Sequence, residues 1–172
     1  MTASNSTLER DAVVVEIDIA ASPELIFQAL TDRKQLFAWW SKEPSVELTE
    51  MKMNARQGGH WQFRWKPVEG IDHGAVGEQL RRNGSDEFEA HGEILEYDPP
   101  HLLVWSWIAN WHEQPTHPTI VRWELTPTKD GTRVRVTHSG LSQEHISRKD
   151  YTSGWVGVLR LLKDYVTNSA MS

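Results

Sequence analysis

The chain has 172 residues, with 18 Lys or Arg against 24 Asp or Glu and a formal net charge of -6. That balance lacks the clustered positive field that nucleic-acid phosphates require. Cysteine is absent, which excludes disulfide staples, thiol nucleophiles and thiolate-held metal centres and fits a reducing cytoplasm, the expected location.

No run approaches the roughly 18 apolar residues of a membrane helix, and the length suits one domain over residues 13–168 behind a flexible lead at 1–12. The lead, "MTASNSTLERDA", has neither the basic start nor the apolar run of a secretory signal. Asn5-Ser6-Thr7 and Asn83-Gly84-Ser85 match the glycosylation pattern and are read as incidental.

"VVVEIDI" sets Val13, Val15, Ile17 and Ile19 against Glu16 and Asp18, the period of two of a strand with one dry face. In "ASPELIFQALTD", Ser22 can cap, Pro23 fits the first helical position, and Leu25, Ile26, Ala29 and Leu30 form a stripe, which predicts a short helix. "RKQLFAWWSKEP" allows another turn or two before Pro44, with Leu36, Phe37, Trp39 and Trp40 needing cover from elsewhere.

From Ser45 to Ser139, runs rich in Val, Ile, Thr and aromatic residues are separated by Gly-Gly, Asn-Gly, Pro-Pro and Asp-Gly, which predicts an antiparallel meander. Trp61, Phe63 and Trp65 share one face, as do Leu103, Trp105 and Trp107, and Val121, Trp123 and Leu125. Asp130-Gly131 predicts a hairpin, after which Val134, Val136 and His138 point inward. Val68 to Ala90 reads as a loop or an irregular edge hairpin, with Arg81 and Arg82 in a solvated turn.

The last segment, "SGWVGVLRLLKDYV", places Trp155, Leu159, Leu162 and Val166 at helical steps. Gly154 and Gly157 each cost about 1 kcal/mol of helix propensity relative to alanine, which predicts a close approach to the backbone there. A curved sheet with one apolar face and a helix with one apolar stripe satisfy each other by packing, so the expected class is α+β, a sheet wrapped about a C-terminal helix.

The words "ASPELIFQALTD" followed by "WW", then "GGHWQFRW", "HGEILEYDPPHLLVWSW", "TIVRWELTP", "DGTRVRVTHSGL" and "GWVGVLRLLKDYV", in this order over about residues 13 to 166, resemble the activator of heat-shock-protein ATPase homologue (AHSA-type) group of the START-like helix-grip superfamily. The resemblance implies a container, in which an antiparallel sheet grips the C-terminal helix and leaves a cavity for an apolar molecule. Some relatives are cyclases or hydrolases. The chaperone activator carries the fold as its C-terminal half behind a separate domain, an arrangement from which this chain, with about a dozen residues ahead of its first strand, is expected to depart.

Two readings stay open for the tryptophans: buried core, worth several kcal/mol of gross gain per ring at about 25 cal/mol per Å², or the wall of a ligand cavity. The candidate wall is Trp39, Trp40, Trp105, Trp107, Trp123 and Trp155, with Leu159 and with His138 as polar contact. His138 is either a hydrogen-bonded core histidine or an anchor or general base. Trp111 reads as a loop or mouth residue.

"HEQPTH" lacks the two histidines four apart of a zinc helix, and Pro115 would break that helix, so His112 is expected in a solvated loop without metal. No nucleophile word accompanies His138. Most carboxylates alternate with apolar residues, leaving Glu78, Glu87 and Glu89 as open candidates for an inward acid. The expected function is binding of a small hydrophobic or aromatic molecule without cofactor or catalytic residue. The alternatives are a chaperone partner or a cofactor-free cyclase or hydrolase, with a homodimer through the loop from Trp111 to Pro118 as a further option.

Overall fold

The computed structural model describes residues 11–171, so most of the expected lead, with Asn5, lies outside the described residues. Seven strands form one antiparallel sheet: β1 (Val13–Ile19), β2 (Val46–Met53), β3 (His60–Pro67), β4 (Phe88–Asp98), β5 (Leu102–Ala109), β6 (Thr119–Thr128) and β7 (Gly131–Ser139). Their order is β1-β7-β6-β5-β4-β3-β2, so β2 to β7 run as a meander and β1 closes against β7. Between β1 and β2 come α1 (Pro23–Thr31) and α2 (Arg33–Trp40). Helix α3 (Gly74–Arg82) interrupts the meander, and α4 (His145–Met171) ends it. This is the α+β helix-grip architecture, a curled sheet holding its C-terminal helix.

Local chemistry sets these elements. Ser22 Oγ accepts from Leu25 N–H and Pro23 opens α1, while Asp32 ends α1 and caps α2 through Lys34 N–H. The alternating faces hold: Trp61, Phe63, Trp65, Leu103, Trp105, Trp107, Val121, Trp123 and Leu125 are all buried. Trp155, Leu159, Leu162 and Val166 of α4 complete the same core. Outward carboxylates pair across β1 and β7, Glu16 with Arg135 and Asp18 with Arg133. Among the described residues no helix is long and apolar enough to cross a membrane.

Two expectations are corrected. The segment from Val68 to Ala90 is not a loop or hairpin, because residues 74–82 form α3, whose Leu80 is buried in the core. Glycines at 74 and 77 hide its helical period. Arg81 and Arg82 form the last turn of that helix, where positive charge suits the exposed carbonyls. Helix α4 starts at His145, ahead of the apolar words that announced it.

Gly92 of β4 lies opposite Trp61 of β3, and the indole Nε1–H reaches across it to the Ser106 carbonyl of β5 at 3.1 Å. A β-carbon at Gly92 would overlap that carbonyl and press on Trp61 Nε1. Gly92→Ala is therefore expected to lower stability by about 1–3 kcal/mol, read as a drop in the urea midpoint.

Candidate functional site

Where α4 passes the β3–β5 end of the sheet, the two leave a cleft of about 610 Å³. Seven aromatic side chains wall it: Trp40 of α2, Trp65 of β3, Phe88 of β4, Trp107 of β5, Trp111 just beyond β5, and Tyr151 and Trp155 of α4. Phe88 and Trp65 each meet Trp111 edge-on, at 5.5 and 6.0 Å between centroids, and Trp107 meets Trp155 at 5.7 Å. These T-shaped contacts interlock the wall and fix ring orientation.

Helix α4 turns two stripes to its neighbours. One, containing Tyr151, Trp155, Leu159 and Leu162, enters the core. The other, Asp150, Gly154, Gly157 and Leu161, faces the cleft. The expectation of a backbone approaching the two glycines is corrected: a β-carbon on either would meet nothing within 4 Å. Their missing side chains leave the space of the cleft.

A chain of hydrogen bonds fixes the rings from behind. Thr119 Oγ1 donates its single proton to the Trp107 carbonyl at 2.8 Å, so it must accept from His138 Nε2–H, also at 2.8 Å. His138 Nδ1 is then free to accept from Trp155 Nε1–H at 3.2 Å. Both nitrogens of this fully buried ring are satisfied in the neutral state. Burial, with His112 as a lesser cause, holds its pKa well below the ordinary value.

Tyr151 Oη accepts from Trp107 Nε1–H at 2.9 Å and lies 2.7 Å from His112 Nε2. Donation from Tyr151 to Nε2 satisfies the hydroxyl and leaves His112 Nδ1 buried without a partner. Burial drives the Tyr151 pKa up and lowers that of His112 to about 4, with His117 adding to the latter, so both are neutral near physiological pH.

The expectation of a solvated loop at His112 is thus corrected, since the ring is buried. The physical cause is a clamp on the loop after β5. The Glu144 carboxylate accepts from Glu113 N–H and Gln114 N–H at 2.7 and 3.0 Å, and Glu113 Oε1 accepts from Ile146 N–H at 2.9 Å. From the other side, Asn83 Nδ2 donates to the Asn110 and His112 carbonyls. Held so, the loop turns Trp111 and His112 inward.

Of the residues singled out from sequence, Trp40, Trp107 and Trp155 line the cleft. Trp39, Trp105, Trp123, Leu159 and His138 are buried behind it. Trp39 stacks on Trp40 at 5.1 Å and bonds the Ala29 carbonyl, while Trp123 meets Trp155 edge-on at 5.6 Å. Glu78 is exposed on α3 and Glu89 binds Gln62 and Arg64, so neither is an inward acid. Glu87 is half-buried ahead of β4 and is not on the cleft. Sequence reasoning missed Trp65, Phe88 and Tyr151. Tyr151 carried a signal, since it stands four residues before Trp155 and extends the core stripe by one turn.

Residues 20–167 match the family model described as Activator of Hsp90 ATPase homolog 1-like protein. No curated protein matches the chain. Its fold is similar to that of a Rhodobacter sphaeroides protein, at TM-score 0.71 and 20% identity over 95% of each chain. An AHSA1-like protein from Aeromonas hydrophila gives 0.67 and 17% identity over 94% of this chain and 95% of its own. The Aha1 dimer from Colwellia psychrerythraea gives 0.64 and 21% identity over 90% and 95%.

The histidines predict a pH dependence. The folded pKa of His112 is about 4, below the ordinary 6.5, so the unfolded chain takes the proton first as pH falls. Its stabilisation is complete above 6.5 and is lost toward about 4, with His138 acting in the same direction. The loss between about pH 7 and pH 5 should reach about 2 kcal/mol for His112 alone, read from urea midpoints. Glu144, raised by burial from 4.5, acts in the opposite sense at the acid end. His112→Gln should flatten the slope. Separately, Gly157→Ala should raise stability by about 1 kcal/mol in the same assay, because helix propensity improves without a clash.

Proposed function

We propose that this chain, which belongs to the Activator of Hsp90 ATPase homolog 1-like family, is a cytoplasmic binding protein that holds a small hydrophobic or aromatic molecule in the cleft between sheet and α4. The observation that carries the reading is a space of about 610 Å³ walled largely by aromatic side chains and opened by two helical glycines. Ligand sites of about 300–1,000 Å³ with mostly apolar walls are the common form. Trp40, Trp65, Phe88, Trp107, Trp111 and Trp155 make the contact, and Trp39, Trp105, Trp123, Leu159 and His138 support that wall from the core. Wall rigidity keeps the entropic cost of binding low, since the rings are already locked by their partners.

Acid–base catalysis at this site finds less support. His138 has both nitrogens engaged within the protein, and Tyr151 and His112 are both held neutral. The family description supports a second reading, a chaperone as partner at the protein surface. Adding the purified protein to the chaperone and following ATP turnover tests it, and an unchanged rate rejects it. The dimer formed by the Colwellia psychrerythraea relative likewise supports self-association here.

The binding reading is tested by tryptophan fluorescence against a panel of lipids, sterols and aromatic metabolites. A saturable change is expected in the wild type. It should disappear in Gly154→Leu, whose side chain projects into the cleft from a position with no neighbour within 4 Å. Thermal stability of that variant should be equal or higher, which separates occlusion from unfolding. A panel without any saturable response rejects the reading.

A further inference from the structure

We propose that the cleft selects an organic cation, a protonated amine or quaternary ammonium group on an apolar body, with Asp150 taking the charge at the lip and the tryptophan wall taking the body. The inference rests on the reading of the cleft as a ligand site and names its ligand class.

Three carboxylates reach the cleft from separate parts of the chain: Glu43 after α2, Asp72 before α3 and Asp150 in the first turns of α4. Arg160 is the only lysine or arginine on the lining. Two of the acids have work within the protein. Glu43 accepts from Ser45 Oγ at 2.6 Å and from its N–H, and Asp72 accepts from Gly74 N–H at 2.7 Å. The Asp150 carboxylate has no hydrogen bond or ion pair among the described residues. Burial raises its pKa; His73 opposes this and Glu43 adds to it. Asp150 is exposed at the lip, and a carboxylate without a protein partner beside a like charge is relieved by a bound cation.

The rest of the lining suits the same guest. Indole faces carry negative quadrupole density, so a cation desolvated among Trp40, Trp65, Trp107, Trp111 and Trp155 is stabilised where an anion is repelled. His73 also lines the cleft, and its Nε2 is buried without a partner. With the ring proton on Nδ1, that nitrogen is an acceptor for an ammonium N–H. An anionic ligand finds no equivalent set, because Arg160 stands against three acids.

Phenylbutylammonium, phenylbutanol and phenylbutanoate carry one apolar body with cationic, neutral and anionic heads. Tryptophan fluorescence titrations of the full chain with each are expected to give about tenfold tighter binding for the ammonium than for the alcohol, and the carboxylate weakest. Added salt should weaken the ammonium selectively. Asp150→Asn should bring the ammonium down to the level of the alcohol and leave the alcohol unchanged. Equal or better binding of the alcohol, or an Asp150→Asn variant that keeps the preference, overturns the cation assignment while the cleft remains a ligand site. No saturable binding of any of the three overturns both.

Discussion

The grip of the sheet on helix α4 depends on how the indole of Trp155 is held. Its N–H ends on His138, and that acceptor exists only because Thr119 takes the other ring nitrogen's proton while giving its own to the Trp107 carbonyl. A proton arriving on His138 would remove the acceptor and set a charge among aromatic rings, which burial makes costly. Neutrality of this histidine, enforced by the dry core, therefore fixes the helix register against the sheet.

The same register builds the cleft. With Trp155 pinned inward, the face containing Gly154 and Gly157 must turn toward the β3–β5 end. Two residues that weaken the helix thus produce space in place of contact, a local cost set against a global shape. The loop after β5 completes the enclosure. The Glu144 carboxylate accepts from the N–H groups of Glu113 and Gln114, the Glu113 carboxylate accepts from Ile146 N–H at the start of α4, and Asn83 holds the loop from the end of α3. Trp111 and His112 are buried by these ties even though neither belongs to a helix or strand.

Burial and lining are separate properties of a ring, and the chain uses both. Trp39, Trp105 and Trp123 are core in the plain sense, with Trp105 Nε1 and Trp123 Nε1 buried without acceptors. Trp40, Trp107 and Trp155 belong to the core and also border the cleft. Interlocked edge-to-face contacts tie the two sets together, so the wall inherits the rigidity of the core.

Periodicity in the sequence determined the strands, the inward faces and the apolar stripe of α4, because side-chain alternation and the helical repeat are local consequences of backbone geometry. It determined that His138 points inward. It did not reveal α3, whose glycines mask the repeat, or the first turns of α4, which are polar and carry Tyr151 and Asp150. Nor did it separate cleft from core, since Trp105 and Trp107 share one face of one strand and differ only in what stands opposite. That difference is made by the angle and register at which α4 crosses the sheet and by a loop folded back through carboxylates distant in sequence, and such relations exist only once the chain has closed on itself.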